Sequence, residues 1–228
     1  MSGIELADIF HRFGDAFHRQ YRLSPEQFKV MNLIKACPTA TLGGHLEKCD
    51  QCGFERPAYN SCRNRHCPKC QTIVKEQWLN KRREELLPCG YFHVVFTLPH
   101  DLNPVVLCNK RKTLDILFES VNDTLAAFSK DPQWRLNGKI GFIAVMHTWS
   151  QTLMDHFHLH CLIPAGALSV DEKKWINARK KFLFKTDALA KAFRRRYLEK
   201  FVVLFKKGEL QFPGETVCFQ SPAAFDEL

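Results

Sequence analysis

The stretch His156-Phe157-His158-Leu159-His160-Cys161-Leu162-Ile163 decides how this chain is read. Histidines alternate with apolar residues and then give way to a continuous apolar run, the pattern of a strand entering a core. On a strand, residues two apart share a face. His158 and His160 therefore project together while Leu159 points the other way. Paired imidazoles at that spacing can chelate one divalent cation. A lone His-x-His is more often a pair of hydrogen-bonded strand histidines. Here three alternating histidines precede a buried run in a basic protein, which favours a functional role. The pair nearest the apolar run is held most firmly, and His156 lies at the strand entrance.

Outward from this strand, Lys139 to Thr148 and Tyr91 to Leu98 read as further strands, and residues 167–170 and 175–178 as a small hairpin. About nine residues connect the strand ending at Thr148 to the histidine strand. Pro104 to Ser129 reads as a helix with Leu107, Leu114, Leu117, Phe118, Val121 and Leu125 on its inner face. Thr186 to Lys207 reads as another, with Leu189, Phe193, Tyr197, Phe201 and Leu204 in one stripe. Towards the N-terminus, residues 4–20 form a helix with Leu6, Phe10, Phe13 and Phe17 at three- and four-residue spacing. Ser24-Pro25-Glu26-Gln27 is a capped start for a second helix running to about Ala36. A further helix is expected from Pro68 to about Leu87. Beyond Lys207, one strand (Glu209 to Phe212) is followed by little structure.

Residues 45–70 are short, polar and rich in Cys and His, with no periodicity able to build a core. Cys49-x2-Cys52 and Cys67-x2-Cys70 stand fourteen residues apart. Two such hooks can bring four thiolates around one tetrahedral zinc. Cys62, His66 and His45 crowd the same stretch as alternate ligands, and a second metal would need a bridging sulfur. Cys37, Cys89, Cys108, Cys161 and Cys218 are isolated and read as small buried hydrophobes. A structural zinc would replace the missing core. It would also present Arg56, Arg63, Arg65 and Lys69 on a rigid frame suited to phosphate backbones.

The formal net charge of +9 favours a polyanionic partner, with nucleic acid ahead of an anionic membrane surface. Arg179 to Lys207 holds eleven Lys/Arg and two acids, so the excess is concentrated there, around Arg194, Arg195 and Arg196. Ordinary apolar content excludes general disorder. No apolar run reaches membrane length and no signal peptide is read, so a cytoplasmic protein is expected. In that reducing compartment clustered cysteines are metal ligands rather than disulfides.

Three segments together resemble a family: SCRNRHCPKCQ (Ser61 to Gln71), YFHVVFTLPHDLN (Tyr91 to Asn103) and HTWSQTLMDHFHLHCLIPAGAL (His147 to Leu168). The chain is similar to insertion-sequence transposases of the IS91 type, which join a zinc-binding leader to an HUH (His-hydrophobe-His) nuclease domain carrying two tyrosines. The resemblance implies an α+β fold: an antiparallel sheet with packed helices, preceded by N-terminal helices and a small zinc module. The expected division is residues 1–36 (helical), 37–90 (zinc module and following helix) and 91–228 (nuclease-like, incomplete at its C-terminal end). It implies structural zinc, and catalytic Mg2+ or Mn2+ on His158 and His160 with His147 or Gln151 as third ligand. It also implies a tyrosine that attacks single-stranded DNA at transposon ends to form a phosphotyrosine.

Two departures stand out. Phe157 replaces the family's usual Pro, and the paired tyrosines are expected after the basic helix, beyond Leu228. Of Tyr21, Tyr59, Tyr91 and Tyr197, the last lies on an apolar stripe and reads as core. The chain is thus expected to lack its nucleophile and to be a truncated transposase. The alternatives are a catalytically inactive zinc-dependent DNA-binding remnant, or a plasmid replication initiator or relaxase, against which the cysteine leader argues. An RNA-binding zinc protein is a further alternative, one that would need no chelating histidine pair.

Overall fold

The computed structural model describes residues 3–178 and 183–228. The chain divides into two compact units, Met1–Leu86 and Leu87–Leu228. In the first unit, helix α1 (Leu6–Gln20) packs on α2 (Pro25–Lys35), and a hairpin of β1 (Gly44–Lys48) and β2 (Glu55–Tyr59) leads to α3 (Pro68–Glu84). The expected cap of α2 is formed: the Gln27 N–H donates to Ser24 Oγ at 3.2 Å, and the Ser24 N–H donates to Gln27 Oε1 at 2.9 Å. Phe13 and Phe17, expected inside by their spacing, are exposed. The small core is made instead by Ile34, Cys37 and Cys67, with Leu6, Phe10 and Val30 against them. A unit this size with so few buried aliphatics needs a cross-link of another kind.

The second unit is built on a three-stranded antiparallel sheet in the order β3-β6-β5, comprising β3 (Tyr91–Thr97), β5 (Ile143–Trp149) and β6 (Asp155–Pro164). Strict alternation gives the sheet two unlike faces. Phe96, Phe157, Leu159, Cys161 and Ile163 join one core with Ile116, Leu117, Val121 and Leu125 of α5 (Lys110–Lys130). Leu189, Phe193, Tyr197 and Phe201 of α6 (Thr186–Lys206) complete it. Phe96 meets Phe193 edge to face with ring centroids 5.0 Å apart. A second small sheet has the order β4-β7-β8, made of β4 (Gly138–Lys139), β7 (Gly166–Ser169) and β8 (Trp175–Asn177). The fold class is α+β, with antiparallel sheets and packed helices, as expected.

Four local expectations are corrected. The Cys/His-rich segment contains the β1–β2 hairpin, which its polar composition conceals. The single helix expected over 104–129 is two, α4 (Asn103–Cys108) and α5, divided at Asn109. The segment 209–212 is not a strand. One side chain explains both of these: the Asn109 amide donates to the Gln211 carbonyl at 2.8 Å and to the Val105 carbonyl at 2.9 Å, and its oxygen accepts the Gln211 N–H at 2.7 Å. Asn109 therefore supplies the hydrogen bonds a neighbouring strand would have given. Finally, the terminal residues are ordered: α7 (Pro222–Asp226) places Phe225 in the core, stacked on Phe205 at 3.9 Å.

Replacing Asn109 by Ala strands a part-buried N–H and C=O of Gln211, and urea unfolding should show a loss of roughly 2–3 kcal/mol. Tyr197→Phe should cost nothing or stabilise slightly, because the buried Tyr197 hydroxyl has no partner.

Candidate metal centres

In the N-terminal unit, four cysteines converge: Cys37, Cys62, Cys67 and Cys70, with their sulfurs all within 4.8 Å of one another. Cys37 follows the C-cap of α2, Cys67 is the N-cap of α3, and Cys70 lies in its first turn. Cys62 arrives on the loop after β2, and Arg63, in the left-handed region at φ 51°, turns the chain there. Cys37 Sγ lies 3.5 Å from Cys70 Sγ, Cys62 Sγ lies 3.6 Å from Cys70 Sγ, and the Cys62 N–H donates to Cys37 Sγ at 3.2 Å. A tetrahedron with Zn–S bonds of about 2.3 Å has S···S edges of about 3.8 Å. The donor set and spacing therefore fit zinc. Burial pushes the Cys62 thiol up to about 12 and raises Cys37 as well. At Cys70 burial acts the same way, but hydrogen bonds from Cys37, Cys62, Ser61 and Cys67 outweigh it and bring the thiol down to about 7.

This is not the set that spacing alone suggests. Cys67 and Cys70 are in it, the alternate Cys62 is in it, and Cys37, which reads as an isolated hydrophobe, is the fourth. Cys49 and Cys52 are exposed at the tip of the β1–β2 hairpin, where the Cys49 N–H donates to the Phe54 carbonyl at 2.9 Å. Cys62 stands just beyond the hairpin's base, and five strand residues span about 16 Å. The hairpin thus carries the first CxxC away from the second. His45 is exposed on β1 beside Glu47, and His66 is exposed in the loop before α3. The signal in the sequence is Cys37 itself, at the end of a helix whose apolar residues pack beside a cysteine-rich segment.

In the C-terminal unit, His147, His158 and His160 bring one ring nitrogen each within 4.8 Å of the others. Antiparallel register does this. His147 on β5 lies directly opposite His158 on β6, and His160 is two residues further along β6. Ring centroids are 5.2 Å apart for His147–His158, 4.3 Å for His147–His160 and 4.9 Å for His158–His160. His158 Nδ1 is 2.9 Å from the His156 carbonyl. A carbonyl only accepts, so this nitrogen carries the proton and Nε2 keeps a free lone pair. His160 Nε2 is buried with no partner. Burial, then the neighbouring imidazoles, lowers His160 and favours the neutral form that binds metals. Nitrogen donors in this arrangement fit a divalent cation.

The other candidates are placed elsewhere. Gln151 is exposed in the tight turn after β5. His156 shares their sheet face but stacks on His100, with centroids 4.9 Å apart. Phe157, at the position where the family has Pro, is buried in the core. Tyr197 is only 2% exposed, and burial raises its hydroxyl far above the ordinary range. Arg194 and Arg195 are exposed on α6, Arg195 beside Glu199 at 3.6 Å, whereas Arg196 is half-buried. The start of the basic stretch, 179–182, lies outside the described residues. Arg63 and Arg65 are both exposed, in the N-terminal unit.

A thiol cluster in a small helical unit and a histidine cluster on a sheet thus give each unit one group of side chains with the chemistry of metal ligands. Comparison with known proteins also gives two parts. Residues 9–98 match the family model described as a transposase zinc-binding domain, and residues 141–227 match one described as a putative transposase. The chain belongs to the IS91-type transposase family. It is 48% identical over 225 residues to the putative transposase y4qJ of Sinorhizobium fredii, covering 98% of this chain and 56% of that protein. It is 32% identical over 153 residues to the transposase for insertion sequence element IS801 of Pseudomonas savastanoi pv. phaseolicola, covering 66% of this chain and 36% of that protein. The chain thus spans about half the length of the first relative and about a third of the second. A solved conjugative relaxase, TrwC in complex with mutant oriT DNA, aligns at TM-score 0.39 and 13% identity over 49% of this chain and 44% of that one, a distant likeness only. Among the described residues, no helix is long and apolar enough to cross a membrane.

Metal analysis of purified variants separates the two cysteine sets. Cys37→Ser and Cys62→Ser should lose zinc and lower the unfolding midpoint of the N-terminal unit. Cys49→Ser and Cys52→Ser should keep a full equivalent. Zinc lost from the Cys49 variant and retained by the Cys37 variant would contradict the geometry.

Proposed function

We propose that this chain is the zinc- and metal-binding portion of a transposase that works on single-stranded DNA. Cys37, Cys62, Cys67 and Cys70 hold structural zinc, and His147, His158 and His160 hold Mg2+ or Mn2+. The observation that supports this most is the meeting of three imidazoles on one sheet face. A divalent ion held by these three histidines would polarise a scissile phosphate and stabilise the charge that develops on it. The chain's own residues prepare the place. The His156 carbonyl fixes the His158 tautomer, the register with β5 brings in His147, and the apolar opposite face locks β6 against α5 and α6.

The polyanion is favoured by the net charge of +9 and by exposed Arg194 and Arg195. A single strand is favoured by Trp149, half exposed and stacked on His147 with centroids 5.6 Å apart and planes 9° from parallel. An exposed aromatic beside a phosphate-binding centre is a platform for an unpaired base.

A second reading, that these residues grip DNA without cutting it, is favoured by the tyrosines. Tyr197 is buried. Tyr91 shares the histidine face but lies four residues along β3 from the position opposite His160, about 13 Å away, and its hydroxyl accepts the Leu87 N–H at 2.7 Å. Tyr21 and Tyr59 belong to the N-terminal unit.

Labelled single-stranded DNA from the element's ends, incubated with the chain and Mn2+, tests both readings. Binding should weaken by about 5- to 100-fold in Trp149→Ala, the equivalent of one lost stacking contact. No SDS-stable adduct should form through Tyr197. An adduct abolished by both Tyr197→Phe and His158→Ala would make Tyr197 the nucleophile and overturn the assignment. Binding that ignores both Mn2+ and Trp149 would overturn the DNA site.

A further inference from the structure

His93 sits on β3, on the same sheet face as the three imidazoles, yet it is not one of the ligand group. Its register partner is Leu162, and Val95 is the residue opposite His160, so His93 reaches His160 diagonally across the strand pair. The contact is close: His93 Nε2 lies 2.7 Å from His160 Nδ1, with the two rings nearly parallel (11°) and their centroids 5.0 Å apart. Two imidazole nitrogens at this distance share one proton, so one of them donates and the other accepts. At the far side of the same His160 ring, Nε2 is buried without a partner, and His160 is one of the three histidines whose ring nitrogens come together.

We propose that His93 is a positioning residue for the metal centre: its Nε2 accepts the Nδ1–H of His160 and so holds the His160 Nε2 lone pair on the metal. This rests on the reading of His147, His158 and His160 as a metal centre and adds to it a fourth histidine that touches no metal. The logic parallels that at His158. There a backbone carbonyl binds Nδ1–H and frees Nε2; at His160 a side chain from the neighbouring strand does the same work. A ring left free to rotate or to take the other tautomer presents N–H instead of a lone pair to the cation. Partners of this kind typically change metal affinity about 10- to 100-fold. His93 is exposed, and its removal takes nothing from the core.

Mn2+ binding to the full chain, followed by electron paramagnetic resonance titration of free Mn2+, gives the test. His93→Ala should weaken binding about 10- to 100-fold with an unchanged melting midpoint in chelator. His93→Gln should restore most of the affinity, because the glutamine side chain carries an amide oxygen near the position of the lost Nε2. His158→Ala should abolish binding. Wild-type affinity in His93→Ala, alongside loss in His158→Ala, overturns the role of His93 and leaves the metal centre standing. Equal weakness of the Ala and Gln variants overturns the acceptor role. A wild-type chain that binds no Mn2+ overturns the centre, and the inference falls with it.

Discussion

The antiparallel register of β6 between β3 and β5 is the constraint on which the C-terminal unit depends. Because side chains alternate, one register sends Phe157, Leu159, Cys161 and Ile163 into the core and His158 and His160 to the opposite face. A slip of one residue would bury imidazoles and expose the aliphatics, so the hydrophobic core that stabilises the unit also enforces the geometry of the histidines. Stability and site are therefore not separable here. The buried face fixes β6, β6 fixes two imidazoles, and the β5 pairing brings the third.

The N-terminal unit solves a different problem. Its buried aliphatic set is small, and two residues at the centre of its core are cysteines, Cys37 and Cys67. Thiols there serve as packing atoms and as ligand atoms at once. A zinc ion tying α2, the post-hairpin loop and the start of α3 together contributes cross-linking that apolar burial cannot supply in so short a segment. Arg63 and Arg65 follow Cys62 on the same loop, so the cross-link would hold basic side chains in place.

Much of this is legible in the sequence where one period dominates. The alternation in His156 to Ile163 gives the strand and the face of each histidine, and the α6 stripe Leu189, Phe193, Tyr197, Phe201 is buried as the spacing implies. Local spacing misleads where tertiary contacts decide. The interval between two CxxC hooks says nothing about an intervening hairpin, and it is the hairpin that takes Cys49 and Cys52 away and leaves Cys37 to complete the cluster. Asn109 breaks a helix because its amide bonds Gln211, far along the chain, a pairing no window of sequence contains. The return of the chain brings His147 near the histidine strand, but its place directly opposite His158 is set by a register that no window of sequence contains.

Counting the nitrogens on the bound ion tests the central claim most directly. Electron spin-echo envelope modulation of Mn2+ in the full chain, with histidines labelled by 15N, reads the number of imidazoles coordinated. Three coordinated imidazoles, falling to two in His147→Ala, are what the account predicts. A bound Mn2+ with no imidazole modulation, or with a signal unchanged by loss of His147, would mean that the three histidines share a sheet face without sharing a metal.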